Sequence, residues 1–456
     1  MSPTFASLKV FNYRLWAMGA LVSNTGTWMQ RVAQDWLVLT QLTANSGIAV
    51  GVTTGLQFGP MLFLGPVAGV LADRLPRRRL LMATQGLMGV WGVLLGVLVV
   101  MDVVRLWHVF LLALLQGCTA AIDAPARQTF VADMVPADKL SNAVGLNSAS
   151  FHLGRMIGPA LAGLLISGAG TGPVFLINGV TFVATVFSLT QMRLRELNVI
   201  PRAERAKGQI REGLRYVRGR PDIVLIMVII GLVGTFGMNF QMTTALMARV
   251  EFHKGAGEYG LLGSVMAIGS LAGALLAARR EKPRLRLVVG ATAAFGVFAV
   301  VAAFMPTYEL FAVALIPVGL SSLTLMTAAN STVQTTTDPA MRGRVMALYM
   351  TIFMGGTPLG APVVGWIGET FGAPWSIAVG GIVALPAALA ATWYVARRND
   401  VKVRYRLHAR PHLLVQVQPL QTVDSGATAA ASEAERREDA RRKLAARQAQ
   451  DTASAA

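Results

Sequence analysis

Five ionisable residues stand inside stretches that are otherwise too apolar to welcome them. Arg31 and Asp35 fall in a long apolar run near the start of the chain, Asp123 and Arg127 close another, and Arg155 sits near the middle of a third. A lone ionised side chain at the centre of a membrane helix costs at least about 2.5 to 3.5 kcal/mol on insertion scales, so such charges mark a ligand path, a proton relay or a helix pair. Arg31 with Asp35, and Asp123 with Arg127, are spaced i and i+4, which puts each pair on one helical face where the charges can neutralise each other. Asp35 and Asp123 are the carboxylates placed to take up and release a proton. A structural use stays open for both pairs: a closed pair near the outer interface for the first, a clamp between helix ends for the second. Arg155, three residues after His152, cannot give up its proton and therefore needs a carboxylate, a carbonyl or an anionic ligand. The second half of the chain offers neutral groups instead, Asn239, Gln241, Asn330 and Gln334, for which bonding between helices is the plain alternative.

The composition explains why these charges stand out. Charged residues make up 14% of the 456, against roughly 25% in an average soluble domain. Hydrophobic residues reach 54% and the mean hydropathy is +0.53, more apolar surface than a soluble chain can hide. Cys118 is the single cysteine, which excludes an internal disulfide or a cysteine metal site. The chain has no GxxxxGK[ST] loop for a nucleotide, no HExxH and no GxSxG, and its five histidines are scattered, so neither an enzyme nor a cofactor or metal is expected. The formal charge of +18 would suit nucleic acid, but its distribution points to orientation in a lipid bilayer.

Apolar runs long enough to cross a hydrocarbon core of about 30 Å occupy about 14–39, 47–72, 80–100, 106–130, 141–167 and 174–192, then 223–248, 259–278, 287–305, 310–332, 345–368 and 374–396. The first lacks a small-residue cleavage site and is expected to be a retained helix, not a signal peptide. The expected organisation is a six-helix bundle in 1–192, a cytoplasmic linker in 193–222, a second six-helix bundle in 223–396 and a largely disordered cytoplasmic tail in 397–456. Pro136 with Pro339, and Pro159 with Pro362, keep one common offset, and Gly69 with Gly273 differs from it by a single residue. The fold class that follows is an all-α membrane protein of two pseudo-symmetric bundles, with a site between them near the midplane.

Lysine and arginine alternate from loop to loop. They crowd at Arg74 to Arg79, Lys139, Arg193 to Arg220, Arg279 to Arg286, and Arg342 with Arg344, whereas the intervening loops hold only Arg105, Arg249 and Lys254. Basic loops stay cytoplasmic, which places both termini inside a cell membrane. In the linker, Leu214, Tyr216 and Val217 give EGLRYVRGRPD an apolar side suited to a membrane surface, a plain connector being the alternative. The tail is expected to carry no chemistry, binding to anionic lipid being the alternative.

Two motifs are more specific. The stretch GVLADRLPRRRLL, with Gly69, Asp73, Arg74, Arg77 and Arg78, resembles the loop between helices 2 and 3 of the major facilitator superfamily, with Pro76 where that family usually has glycine. Gly145, Gly154, Gly158, Pro159 and Gly163 resemble the helix-5 antiporter motif of the same superfamily, with Ala162 in place of one glycine. Glycines at that spacing are expected to share one face and admit a close neighbour. WMQRVAQDWLV, DAPARQTFVADMVP and EGLRYVRGRPD are similar to the drug-efflux branch that includes siderophore and macrolide exporters of bacteria.

The resemblance covers about 10 to 396. It implies a cavity lined by helices 1, 4, 7 and 10, with Arg31, Asp35 and Asp123 as candidates. It also implies a gating network between Asp73 with its arginines and the start of helix 11, near Arg342 and Arg344. The function so implied is proton-coupled export of small amphipathic molecules by alternating access, carried out by a monomer without nucleic-acid partners. An importer of the same fold and a non-transporting receptor are the rivals.

Overall fold

In a computed structural model, the structure describes residues 3–197, 209–278, 285–339, 341–398, 402–406 and 412–416. Residues Met1–Leu389 form one compact unit and Ala390–Ala456 another.

The first bundle contains α1 (Phe11–Leu37), α2 (Gly47–Arg74), α3 (Arg77–Val100), α4 (Leu106–Met134), α5 (Leu140–Ala169) and α6 (Thr171–Thr190). After a short α7 (Gln209–Arg218), the second contains α8 (Pro221–Phe236), α9 (Phe240–Leu246), α10 (Ala256–Ala278), α11 (Leu285–Ala303), α12 (Tyr308–Thr336), α13 (Arg342–Phe371) and α14 (Ala373–Arg398). Among the described residues, eleven segments are long and apolar enough to cross a membrane. The twelfth, α1, is also long enough but carries Arg14, Asn24, Gln30, Arg31, Gln34 and Asp35, which dilute its hydropathy.

Duplication is visible in local geometry. Gly170 and Gly372, with φ of 81° and 105°, each make a one-residue turn, between α5 and α6 and between α13 and α14. Only glycine takes such angles without strain. The first and seventh spans both finish in a π turn, Val38–Leu42 and Met247–Glu251, and soon afterwards meet a left-handed residue, Asn45 and His253. Packing partners repeat as well: α1 lies on α5 and α2 on α4, as α8 lies on α13 and α10 on α12.

The seventh span, expected as one helix over 223–248, is interrupted at Gly237–Asn239 and resumes as α9. Asn239 opens α9 without a side-chain cap; its amide instead donates backward to Thr235 O at 2.8 Å.

At the end that bears the basic hairpins, the first bundle closes on Tyr13, Trp16, Leu81, Phe130 and Leu189. Trp16 meets Phe130 edge-on at 5.6 Å, and the Tyr13 hydroxyl donates to Ala143 O at 2.7 Å. Elsewhere large apolar side chains such as Leu164, Val180, Val183 and Phe187 point outward. That is the expected state of a surface that meets lipid tails instead of water.

The linker is more than a connector. Gly213 of α7 lies against Arg344 and Leu348 of α13, Val217 is buried, and Glu212 pairs with Arg344 at 2.7 Å. The Tyr216 hydroxyl accepts from Asp338 N and from Arg220, each at 3.2 Å. The apolar side read from the sequence therefore packs in part on the second bundle, while Leu214 remains exposed.

In the second unit, β1 (Lys402–Arg406) and β2 (His412–Gln416) pair antiparallel, Lys402 opposite Gln416 and Arg406 opposite His412. This short hairpin falls within the segment expected to lack order. The rest of that tail lies outside the described residues, as does the Arg279 to Arg284 part of one basic loop.

Candidate functional site

Two seams join the bundles. In one, Gly47, Gly51 and Gly55 of α2 face Gly365, Ala361 and Pro358 of α13, and a Cβ on Gly47 or Gly51 would strike the backbone opposite. In the other, Pro159 and Gly163 of α5 face Gly260, Gly263 and Ala256 of α10, and Ser264 Oγ donates to Met156 O at 2.7 Å. Small residues are what allow helix backbones to come this near. Polar links finish the contact at the end away from the basic hairpins. Glu369 Oε2 accepts from Ser46 Oγ at 2.8 Å and from Ile48 N at 3.0 Å, and Arg249 Nε donates to Asn45 Oδ1 at 3.4 Å.

Beside the second seam lies a pocket lined by Trp28 and Val32 of α1, Arg155 and Pro159 of α5, Phe240, Gln241 and Thr244 of α9, and residues of α10 that include Tyr259 and Met266. The Arg155 guanidinium stands 5.4 Å from the Trp28 ring. That of Arg31 stands 4.7 Å from the same ring and 4.9 Å from Phe58. Arg31 Nε and Gln241 Nε2 are buried without hydrogen-bond partners. The Tyr259 hydroxyl donates to Gln241 O at 3.2 Å and lies 3.5 Å from Asp35 Oδ2, while Trp36 stacks on the Tyr259 ring at 5.8 Å.

The expected Arg31–Asp35 pair does not form: no ion pair joins them among the described residues. Helical side chains lean toward the N-terminus of their helix. Arg31 therefore reaches back one turn onto Trp28, and the short Asp35 side chain is left facing α10. The second pair does form, with Arg127 Nε 3.0 Å from Asp123 Oδ2. Asp123 Oδ1 also accepts from Thr84 at 2.7 Å and Gln85 at 2.8 Å, and Arg127 stacks on Trp16 at 5.5 Å. Asp123 is thus a saturated clamp between α3 and α4, outside the pocket. Asn330 accepts from Gln334 within α12 at 2.8 Å, a bond inside one helix instead of between two. Asn239 likewise does not line the pocket, and its Oδ1 is buried without a partner.

The helix-5 glycines split between two faces instead of sharing one. Gly154 and Gly158 receive α1 at Asn24, Thr25 and Trp28, whereas Pro159 and Gly163 receive α10, and Gly145 has no neighbour within 4 Å. The motif thus fastens α5 to its own bundle on one side and to the other bundle on the opposite side.

At the basic hairpin, where Gly69 lies in the last turns of α2, Arg77 Nη1 pairs with Asp133 Oδ1 at 2.6 Å. Arg78 donates to Leu189 O at 2.6 Å and Thr190 O at 3.2 Å, a cation on the carbonyl end of α6 as the helix dipole favours. Arg74 and Arg342 are exposed, and the side chain of Asp73 lies outside the described residues. Arg344, expected near Asp73, is held by Glu212. Sequence reading missed Tyr259, Phe58 and Glu369. A tyrosine inside an apolar span and an acid at the end of one were the available signals for two of these.

Residues 2–423 match the family described as transmembrane secretion effector. The chain is 28% identical to the multidrug efflux pump Tap of Mycolicibacterium fortuitum over 77% of its length and 88% of that protein. It is 27% identical to the enterobactin exporter EntS of Citrobacter koseri over 75% and 82%. A bacterial homolog of the human lysosomal transporter Spinster, in an inward-facing and unoccupied conformation, superposes with a TM-score of 0.64 at 14% identity over 87% of this chain and 96% of that one. The nucleoside transporter NupG superposes with a TM-score of 0.66 at 14% identity over 84% and 99%. The chain belongs to the transmembrane secretion effector family, and is a multi-pass membrane transporter of the major facilitator fold, not an enzyme.

Proposed function

We propose that the chain exports small amphipathic molecules from the cell in a proton-coupled cycle, its two bundles rocking about the pocket between them. The observation that carries this reading is the pocket itself: a largely apolar chamber that both bundles build, with a buried carboxylate, Asp35, against Tyr259 of the opposite bundle. The seams bring the bundles together on the side away from the basic hairpins. With basic loops cytoplasmic, both termini lie inside, the membrane is the cell membrane and this conformation faces inward. One polypeptide supplies every wall of the pocket, so a monomer suffices. Tap and EntS, an efflux pump and an exporter by name, support the outward direction.

Asp35 is the group we assign to the proton, because Asp123 already holds three hydrogen-bond partners. In proteoliposomes of known orientation, an imposed pH gradient should accelerate flux through the native chain. Asp35→Asn should lose that acceleration, and Asp123→Asn should keep it. Gradient-driven flux that survives Asp35→Asn removes the assignment. Inward accumulation supports an importer, and ligand binding with no flux supports a receptor.

A further inference from the structure

The pocket between the bundles holds, in its wall and beside it, donors that no acceptor satisfies. Arg31 Nε and Gln241 Nε2 are buried and unpartnered. Arg155 lines the pocket with neither a hydrogen bond nor an ion pair among the described residues. The Thr244 and Tyr259 hydroxyls donate to Phe240 O and Gln241 O, which leaves their oxygens as neutral acceptors, but among the described residues neither accepts from Arg155 or from Gln241 Nε2. Asp35 lies toward Tyr259 and pairs with neither guanidinium. Two guanidiniums and one carboxylate leave a net charge of +1 around the pocket even with Asp35 ionised. His152, one turn before Arg155 on α5, adds no negative charge.

Buried donors left without acceptors are costly, and charged ones more so. The faces of Trp28 and Phe58 offset only part of that cost. A ligand that brings oxygen lone pairs removes it. Guanidinium groups present planar forks that match oxyanions, and the walls beside them, Trp28, Phe240, Val32 and Met266, suit a flat apolar body.

Resting on the reading of this pocket as the cargo site, we propose that the cargo is an organic oxyanion, a carboxylate, sulfonate or acidic phenol, borne on a flat apolar body. Its oxygens seat at Arg155 and Gln241, with the charge of Arg31 close by on the Trp28 ring, and its body lies along Trp28 and Phe240. An organic cation of the same shape meets two like charges and is rejected.

The test uses three probes that share one ring and differ in charge: naphthoate, naphthylmethanol and naphthylmethylammonium. Binding to the full chain in nanodiscs is followed by calorimetry. Naphthoate should bind at least about tenfold more tightly than the alcohol or the ammonium. Arg155→Gln should cost naphthoate about tenfold and leave the alcohol unchanged, and Arg155→Lys should recover part of the loss. Equal binding of the three probes, preference for the ammonium, absence of binding by all three, or naphthoate affinity indifferent to Arg155→Gln would each overturn the proposal. The native chain's preference among the probes decides even where a variant folds poorly. Flux without anion preference defeats this inference and spares the transporter reading. Anion preference in a chain that carries nothing across proteoliposomes does the reverse.

Discussion

In the first bundle the apolar interior holds Arg31, Asp35, Asp123, Arg127 and Arg155. Across the pocket the second bundle presents Gln241, Thr244 and Tyr259. Both share one architecture, down to paired π turns and paired one-residue glycine turns. Duplication has therefore kept the frame and let the chemistry diverge. Ionic groups collected on one side, where Asp123 and Arg127 could be saturated by Thr84, Gln85 and Trp16. The other side keeps neutral hydrogen-bonding groups, which part from their partners at lower desolvation cost than charges do. The proposed rocking cycle would gain from that division, because the pocket wall that the second bundle supplies carries no charge to desolvate.

The largest break in this comparison should come from the seam, where the halves act alike. Gly260→Leu pushes a side chain into the backbone at Pro159 and should cut flux by about a hundredfold. Gly290→Leu, with open space around Gly290, should leave flux unchanged when the two are assayed side by side in proteoliposomes. The next effect separates structure from transport: Asp123→Asn should cost about 2 kcal/mol of stability, read as a lower unfolding midpoint in detergent. Flux per folded molecule should stay within about twofold of native. Gln241→Ala tests the neutral side, and cargo affinity should fall by about threefold to tenfold with no change in the response to a pH gradient. Smallest of all, Arg344→Gln releases α7 from α13. An ion pair this accessible is worth about 1 kcal/mol or less, so only faster proteolysis of the linker should report it.

Much of this was legible beforehand, because hydropathy and the alternation of basic loops read out spans and their repeat directly. The interruption at Gly237–Asn239 was not, since an apolar run stays apolar through a break in its helix. Spacing alone paired Arg31 with Asp35, yet side-chain direction and the ring of Trp28 outweighed proximity along the helix. The same spacing in Asp123 and Arg127 succeeded because α3 supplied two more donors. Glycine spacing in α5 identified a packing helix but not that it serves two neighbours on opposite faces, one of them in the other bundle.

Glu369 completes the first turn of a helix that belongs to the opposite bundle, by accepting from Ile48 N and Ser46. In the proposed rocking cycle the bundles part at that end, and those donors must then find oxygen elsewhere, which solvent can supply. In the proposed cycle, opening there is accordingly a hydration event, with water drawn in on one face at each turnover and expelled again, and the osmotic state of the medium bears on its pace.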